Sequence, residues 1–447
     1  MFRRFVSLLL ILGSMALIVY ADPFDLPETV SPTLILGFML LAAYCIGFIL
    51  EQKGLPRITG YIFAGLLLGP YFLKFYSKDS VDALGFLNSL ALAFIAFCAG
   101  GELKLANIRN KLKSIFFLVV GATSVVFVGV TMIVFAISNF IPFMSGYDPV
   151  MRFAISSIFG VIAVARSPSS TIAIISETKA KGNYTDTVLS VTIATDVVII
   201  VFFAVVISAC EVLIVGDSAI SLSFLLELIV EIAMAFVLGF LLGKAIIFLI
   251  EKVKVEFPIV ITAMGFVVIK FSHLLGDYLH EIHEINLRLE PLLICMAAGF
   301  TVQNFSKHGT TFLERMDRVS LPIYIAFFAI TGASIAVDVL KTAWFLGLIV
   351  VISRTIMFYV GCYFSGRLSG DPPETYKNTW LGFITQAGVS LGLLAEVVRR
   401  FPEIGVPIQT ILITSITLNQ LIGPVAFKYA LFKVGEAKIK SLVRSKK

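Results

Sequence analysis

The hydrophobic positions of this chain fall into thirteen long apolar runs that are separated by short polar connections. About 20 consecutive apolar residues cross a bilayer as a helix, so each run predicts one membrane-spanning helix. The pattern therefore predicts an all-α polytopic membrane protein with about thirteen transmembrane helices and no sizeable soluble domain. The runs cover residues 31–50, 55–72, 84–101, 114–138, 150–176, 187–209, 221–251, 257–275, 289–303, 319–337, 343–366, 379–398 and 406–430.

Composition agrees with this pattern, since 58% of the residues are hydrophobic and only 14% are charged. The segment 1–21 joins a basic start to a short apolar run and a small-residue end. Such a segment is typical of a cleavable signal peptide, and an additional N-terminal helix is the alternative. We expect residues 22–432 to form the membrane domain and residues 433–447 to form a short basic tail.

Lysine and arginine residues concentrate on alternate connections between the apolar runs and in the C-terminal tail. Cytoplasmic loops carry an excess of these residues, so the bias predicts a cytoplasmic C-terminus and a plasma (inner) membrane location. The net charge of +6 is explained by this orientation in the lipid bilayer and does not indicate a nucleic-acid partner.

One carboxylate lies in the middle of an otherwise uncharged apolar stretch. Asp196 is at the tenth position of the stretch from Thr187 to Ala209. A central Asp costs about 2.5–3.5 kcal/mol to insert into a membrane, which marks the residue as a functional candidate. A buried carboxylate can exchange a proton for a cation. An Asp that only bridges two helices is the other interpretation.

Two threonines accompany this carboxylate along the predicted helix. Thr192 stands one turn before Asp196 on the same face, and Thr195 adjoins it. Hydroxyl and carboxylate oxygens are ligands that alkali cations prefer, so both threonines are candidate ligands of a monovalent cation. Ordinary helix-packing contacts explain the two hydroxyls equally well.

Two of the apolar runs are interrupted by helix-breaking residues, over residues 162–171 and 385–392. The candidate residues at these interruptions are Arg166, Ser167, Pro168 and Ser169 in the first run and Gln386 and Gly388 in the second. Irregular backbone at membrane depth is tolerated only where it is buried or lines a cavity. Paired interruptions in the two halves of a chain indicate a midplane binding site in an inverted-repeat transporter. Either interruption alone fits a proline kink or a glycine-packed contact.

A single positive charge, Arg354, lies in the middle of the run that precedes the second interruption. Each half of the chain therefore has a broken helix beside a helix with one mid-span charge, and the two charges have opposite signs. We expect Asp196 and Arg354 to balance the partial charges at the ends of the half-helices.

Other functional classes fit this pattern less well. A channel needs a continuous polar pore, whereas the polar residues here concentrate at one depth. A membrane enzyme needs paired metal ligands or a nucleophile constellation, and the runs contain neither, so we expect no enzymatic activity. A proton- or sodium-coupled carrier of a small organic solute on a similar inverted-repeat fold is the main alternative.

The order and spacing of these features resemble the monovalent cation:proton antiporter superfamily, which includes sodium/proton exchangers and potassium-efflux relatives. The similarity extends from about residue 31 to about residue 430. The segments that carry it are 55–65, 69–70, 97–102, the break at Ser167 and Pro168, the Asp196 and Arg354 helices, 290–291, 322–334 and 385–388.

The resemblance implies a homodimer whose protomers each contain a dimerisation part and a mobile core with two crossing broken helices. The core would carry the ion by an elevator-like movement. Protons and Na⁺, K⁺ or Li⁺ would compete for one carboxylate, Asp196, and no cofactor would be needed.

The chain departs from the family pattern at three positions. Thr195 precedes Asp196 where relatives have Asn, Asp or Gln, and a single carboxylate predicts one-for-one electroneutral exchange. Arg166 stands where the exchanger branch has a hydroxyl, and it could pair with Asp196, extend to the inner surface or contact an acidic lipid. Val191 replaces the Glu that often partners the mid-helix arginine, so Arg354 needs another counter-charge.

Overall fold

The computed structural model describes residues 8–15, 31–75, 77–215, 222–253, 256–283, 289, 291–335, 337–386 and 388–437. Within these ranges the regular structure is entirely helical, which confirms the all-α prediction. A helical segment covers residues 8–15, but the rest of the predicted signal peptide or extra helix lies outside the described residues. The same is true of the basic tail from residue 438 onward.

Eighteen α-helices follow in chain order from residue 31 in the described part of the chain. They are α1 (Ser31–Gln52), α2 (Arg57–Leu68), α3 (Lys78–Ala83), α4 (Gly85–Glu102), α5 (Leu105–Phe117), α6 (Thr123–Ile137), α7 (Pro149–Val164), α8 (Pro168–Thr178), α9 (Asn183–Val215), α10 (Leu222–Phe248), α11 (Phe257–His283), α12 (Pro291–Phe305), α13 (Gly309–Ala333), α14 (Val337–Ser369), α15 (Pro373–Tyr376), α16 (Thr379–Gly382), α17 (Gly388–Arg400) and α18 (Pro402–Lys433). Helices α5 and α6 are joined by a π-helical turn, Leu118–Ala122, and a second π-helical turn, Leu249–Val253, extends α10.

Eight helical segments in the described ranges are long and apolar enough to cross a membrane, by length and composition. Several shorter apolar helices, among them α2 and α12, accompany them. The chain is therefore a multi-span membrane protein, and the count of thirteen spans stays a prediction. The segment Pro149–Thr178, which contains the first predicted interruption, is the most deeply enclosed of the eight, with 94% of its window buried.

Several helices extend beyond the apolar runs that predicted them. Helix α13 begins at Gly309, well before the predicted run 319–337. Hydropathy did not detect its first turns, because they carry charged residues. Helix α14 extends past both ends of the run 343–366. Hydropathy marks the part of a helix that lies in lipid, whereas backbone hydrogen bonding continues into the polar segments on either side.

The helices pack into two interleaved groups. Helices α1, α2, α4, α10, α11, α12 and α13 pack mainly against one another, and so do α5, α6, α7, α9, α14, α16, α17 and α18. The half-helix α8 packs against α9 and α18 of the second group and also against α2 and α4 of the first. Both interruptions and the Asp196 helix, α9, belong to the second group. The first group is closely packed through glycines, since a Cβ on Gly65 of α2 would collide with the carbonyl of Ala329 on α13. Small residues let membrane helices approach in this way.

A buried polar cluster connects the two groups at one end. Lys428 on α18 donates to a Glu177 carboxylate oxygen on α8 at 3.0 Å and to the carbonyl of Leu55 at 2.9 Å. The other Glu177 oxygen accepts from the backbone N–H of Arg57, the first residue of α2, at 2.9 Å. Glu177 therefore bridges the half-helix α8 to the first group.

Candidate functional site

The first interruption is a three-residue gap between α7 and α8. Helix α7 ends at Val164 and α8 begins at Pro168, so residues 165–167 are not helical. Proline disfavours helical backbone at the preceding residue and suits the first position of a helix. Ser167 caps α8, since its hydroxyl accepts from the backbone N–H of Ser170 at 3.3 Å. The predicted interruption over 162–171 was too wide, because residues 162–164 still belong to α7 and residues 168–171 already belong to α8.

The second interruption separates α16 from α17. Helix α16 ends at Gly382 and α17 begins at Gly388, with residues 383–386 non-helical. The predicted interruption over 385–392 began too late, because the backbone already leaves the helix after Gly382. It also ended too late, because Ser390 and Gly392 lie within α17. Gln386 lies in the gap, and Ala387 is outside the described residues.

Arg354 connects the two interruptions. Its Nε and Nη2 donate to the carbonyls of Ala163 and Ala165 at 2.7 and 2.8 Å, and Nη2 and Nη1 donate to Phe383 and Ile384 at 2.9 and 2.6 Å. The side chain has no exposed surface. Carbonyls at the C-terminal end of a helix carry partial negative charge, and here they stand where a carboxylate counter-charge was expected. Arg354 therefore joins the C-terminal ends of α7 and α16, the half-helices that precede the two interruptions.

Gln386 adds a second connection at the same place. Its Nε2 donates to the carbonyl of Ile162 at 2.8 Å, and its Oε1 accepts from Nδ2 of Asn419 on α18 at 3.0 Å. The place where residues 162–165 meet residues 383–386 is called the crossing below. Two long side chains, Arg354 and Gln386, hold it together. Gly388 begins α17 beside this contact.

Asp196 and its two threonines lie near the middle of α9. Thr192 and Thr195 are fully buried, and Asp196 is half-buried. The Thr195 hydroxyl donates to the carbonyl of Val191 at 2.7 Å and accepts from Arg166 Nη1 at 2.9 Å. The Thr192 hydroxyl has no hydrogen-bond partner among the described residues. Its oxygen is therefore available to a ligand, whereas that of Thr195 is already used.

Arg166 occupies the first interruption and lies in the protein interior, with 1% of its surface exposed. Its guanidinium carbon lies 3.8 Å from the ring centre of Phe383 and 5.0 Å from that of Phe358. Its Nη1 contacts Thr195, the residue next to Asp196 on α9. This burial excludes the two alternatives in which Arg166 extends to the inner surface or contacts an acidic lipid, and its pairing with Asp196 stays a prediction.

The serines of the first interruption form a local cluster. The Ser167 hydroxyl lies 3.1 Å from that of Ser169 and 3.0 Å from that of Ser170. Thr171 donates to the carbonyl of Ser167 at 3.0 Å. These hydroxyls stabilise the start of α8 and, in the described hydrogen bonds, do not reach Asp196. The structure thus separates a capping role at Ser167 from the charged site at Asp196.

Three residues at the crossing were missed in the prediction from sequence. Asn419 gave a detectable signal, because Asn419 and Gln420 are adjacent amides inside an apolar helix. Phe358 and Phe383 gave none, since aromatic residues in apolar runs are ordinary. The Phe358 ring lies against both arginines, 4.6 Å from Arg354 and 5.0 Å from Arg166.

The fold and the crossing can be compared with known proteins. The family of transmembrane sodium/hydrogen exchangers matches residues 34–433, which is most of the chain. The chain belongs to the sodium/hydrogen exchanger family. Both interruptions, Arg354 and the Asp196 helix all lie inside the matched range.

Individual exchanger relatives agree with this assignment. A probable Na⁺/H⁺ antiporter 3 of Methanocaldococcus jannaschii is 24% identical over 392 residues, which is 85% of this chain and 92% of the relative. The probable Na⁺/H⁺ antiporter GerT of Bacillus cereus is 23% identical over 374 residues, 80% of this chain and 88% of the relative.

Two solved structures of the sodium proton antiporter MjNhaP1 from Methanocaldococcus jannaschii share the fold of this exchanger-family chain. The structure at pH 8 matches with a TM-score of 0.62 and 18% identity over 91% of this chain and 96% of the other. An electron-microscopy structure matches with a TM-score of 0.70 and 19% identity over 93% and 100%. The likeness establishes an antiporter fold.

Proposed function

We propose that this protein is a secondary transporter that exchanges one monovalent cation, Na⁺ with K⁺ or Li⁺ as alternatives, for one proton at Asp196. The observation that carries the proposal is the place of Asp196, a mid-helix carboxylate beside two half-helices whose ends are pinned together. A carboxylate in this setting is expensive to hold charged and unoccupied, so a proton or a cation neutralises it favourably.

In each cycle, the Asp196 carboxyl group loses its proton on one side of the membrane, and the carboxylate then binds the cation. The Thr192 oxygen supplies a further ligand, because it is buried and makes no hydrogen bond within the described residues. On the other side the cation leaves and a proton takes its place. One carboxylate carries one positive charge in either direction, so the exchange is electroneutral.

Movement of the site between the two sides would use the two helix groups. The group that holds the crossing and Asp196 would move as an elevator against the other group, and contacts such as Lys428 with Leu55 would break and re-form. Arg354 and Gln386 support this proposal, since they tie the half-helices into a unit that can move together. We further propose a homodimer in the plasma membrane with a cytoplasmic C-terminus.

The test is proton-gradient dissipation by the purified protein in liposomes on addition of Na⁺, K⁺ or Li⁺. Wild type should collapse the gradient with at least one cation, and Asp196→Asn should reduce the rate to that of empty liposomes. Asp186→Asn is a matched control, because this carboxylate lies in the first turn of the same helix, partly exposed beside Lys111.

Two results would contradict the proposal. If no alkali cation moves protons in wild type, the coupled carrier of an organic solute becomes the leading function. If Asp196→Asn exchanges as fast as wild type, Asp196 has a structural role.

A further inference from the structure

The guanidinium group of Arg166 is held in an unusual way for a buried charge. Two aromatic rings lie against it, and a single hydrogen bond joins Nη1 to Thr195. The remaining donors, Nε and Nη2, have no hydrogen-bond partner among the described residues, although the side chain is almost fully buried. Buried charges are normally paired, so this arrangement is costly unless another group uses the unfilled donors at some stage.

The unfilled donors form one edge of the guanidinium fork. Two parallel N–H groups on such an edge match the two oxygens of a carboxylate. The guanidinium carbon lies 3.8 Å from the ring centre of Phe383 and 5.0 Å from that of Phe358, and neither contact uses the Nε and Nη2 donors in a hydrogen bond. The edge is therefore suited to an anionic group, and Asp196 directly follows Thr195, the residue on α9 that Arg166 already contacts.

A second guanidinium limits where Arg166 can go. Arg354 also lies against Phe358, and the two positive charges repel each other. Arg354 cannot move, because it holds four carbonyls. Repulsion therefore biases Arg166 away from the crossing and toward the negative charge on α9.

We propose that Arg166 is a tethered cation that competes with the transported cation for Asp196. This inference rests on the exchange proposed above and identifies a residue that sets its affinity. When Asp196 holds neither a proton nor a cation, the open edge of Arg166 binds the carboxylate. When a cation arrives, Arg166 is displaced and rests on its two aromatic rings and Thr195. The competition weakens cation binding and speeds cation release.

The test compares neutral and charged substitutions of Arg166 in the liposome assay, with cation concentration varied at one alkaline pH. Arg166→Gln and Arg166→Met remove the charge, and a Met side chain still fills the space between the rings. Both should lower the KM for the cation by about tenfold or more, since a nearby like charge is removed. They should also lower kcat, because a more tightly bound cation leaves more slowly.

Arg166→Lys is the matched control, because it keeps the positive charge but loses the planar fork. Its KM should lie between the wild-type value and that of the neutral variants, since the charge still competes while the two-donor match to the carboxylate is lost. A purely structural role for Arg166 would lower kcat or the amount of folded protein without tightening KM. The direction of the KM change therefore separates the two roles.

Each other outcome has a definite meaning. An unchanged or higher KM in the folded neutral variants overturns the competition, while exchange at Asp196 stands if wild type is active and Asp196→Asn is not. If both neutral variants fail to fold and Arg166→Lys folds, the charge is a structural requirement and the inference is wrong. If wild type itself moves no alkali cation, both the proposed exchange at Asp196 and the proposed competition by Arg166 are wrong.

Discussion

Two arginines that are buried in the described part of the chain lie against the same aromatic ring, Phe358, but they differ in how their donors are used. Arg354 has hydrogen bonds from Nε, Nη1 and Nη2 to four carbonyls. Arg166 has one hydrogen bond within the described residues, to Thr195, and a whole edge of its guanidinium is unfilled. A charge that is fully hydrogen-bonded stabilises a fold, whereas a charge that is incompletely bonded remains available to other groups. The contrast agrees with a scaffold role for Arg354 and with the proposed role of Arg166 at the ion site.

The largest effect should come from removing the fully bonded arginine. Arg354→Gln leaves most of the four carbonyls without donors, and losing one partner of a buried charged network costs about 3–5 kcal/mol. We expect little folded protein, measured as monodisperse yield and thermal unfolding in detergent. Arg354→Lys should rescue it poorly, because an ammonium group cannot reproduce the planar fork.

Arg367→Gln is the control for that experiment, since Arg367 lies on the same helix in its exposed last turn. Exposed substitutions usually change stability by less than about 0.5 kcal/mol. A well-folded, active Arg354→Gln protein would contradict the scaffold role of Arg354.

A smaller loss of stability is expected at Gln386, which also belongs to the scaffold. Gln386→Leu leaves the carbonyl of Ile162 and the Nδ2 of Asn419 without their partners. Each buried group left unsatisfied costs about 1–3 kcal/mol. The midpoint of thermal unfolding should fall, while the KM of the protein that remains folded should change little. A lowered KM with unchanged stability would move Gln386 from the scaffold to the ion site.

The smallest effect on stability is expected at Thr192, where the contrast predicts a change in function alone. Thr192→Val removes a hydroxyl that makes no hydrogen bond within the described residues, so thermal stability should be nearly unchanged. Loss of one oxygen ligand, at about 1 kcal/mol, should raise the cation KM roughly fivefold. Thr414→Val is a matched control, because Thr414 is equally buried on α18 and donates to the carbonyl of Thr410. Equal KM values in both variants would exclude Thr192 as a ligand.

Most of the fold could be predicted from hydropathy, because each apolar run coincides with helical segments in the described ranges. The positions of both interruptions were predicted to within a few residues, since proline, glycine and polar residues seldom cluster at membrane depth unless a helix is broken there. Their limits were less accurate at 383–386, because Phe383 and Ile384, which leave the helix after Gly382, are not themselves helix-breaking residue types. Their carbonyls bond to Arg354, a contact between segments that local sequence does not encode.

The candidate site was predictable in its charges but not in its geometry. Asp196, Arg166 and Arg354 are conspicuous because an intramembrane charge is rare. The partner of Arg354 could not be predicted, because a search for counter-charges considers side chains and the partners here are backbone carbonyls. Phe383 could not be predicted either, because its ring acts on Arg166 and its carbonyl on Arg354 only once the two halves cross.

The measurement that tests the central claim most directly is the rate of exchange against cation concentration at a series of pH values. If a proton and the cation compete for Asp196, lowering the pH on the cation side, with the pH of the other side held fixed, will raise the cation KM once protons occupy the carboxylate and leave the maximal rate unchanged. Asp196→Asn will show no cation-dependent exchange at any pH. A maximal rate that falls with pH at constant KM would show that protons act at a separate site, and would contradict the shared carboxylate.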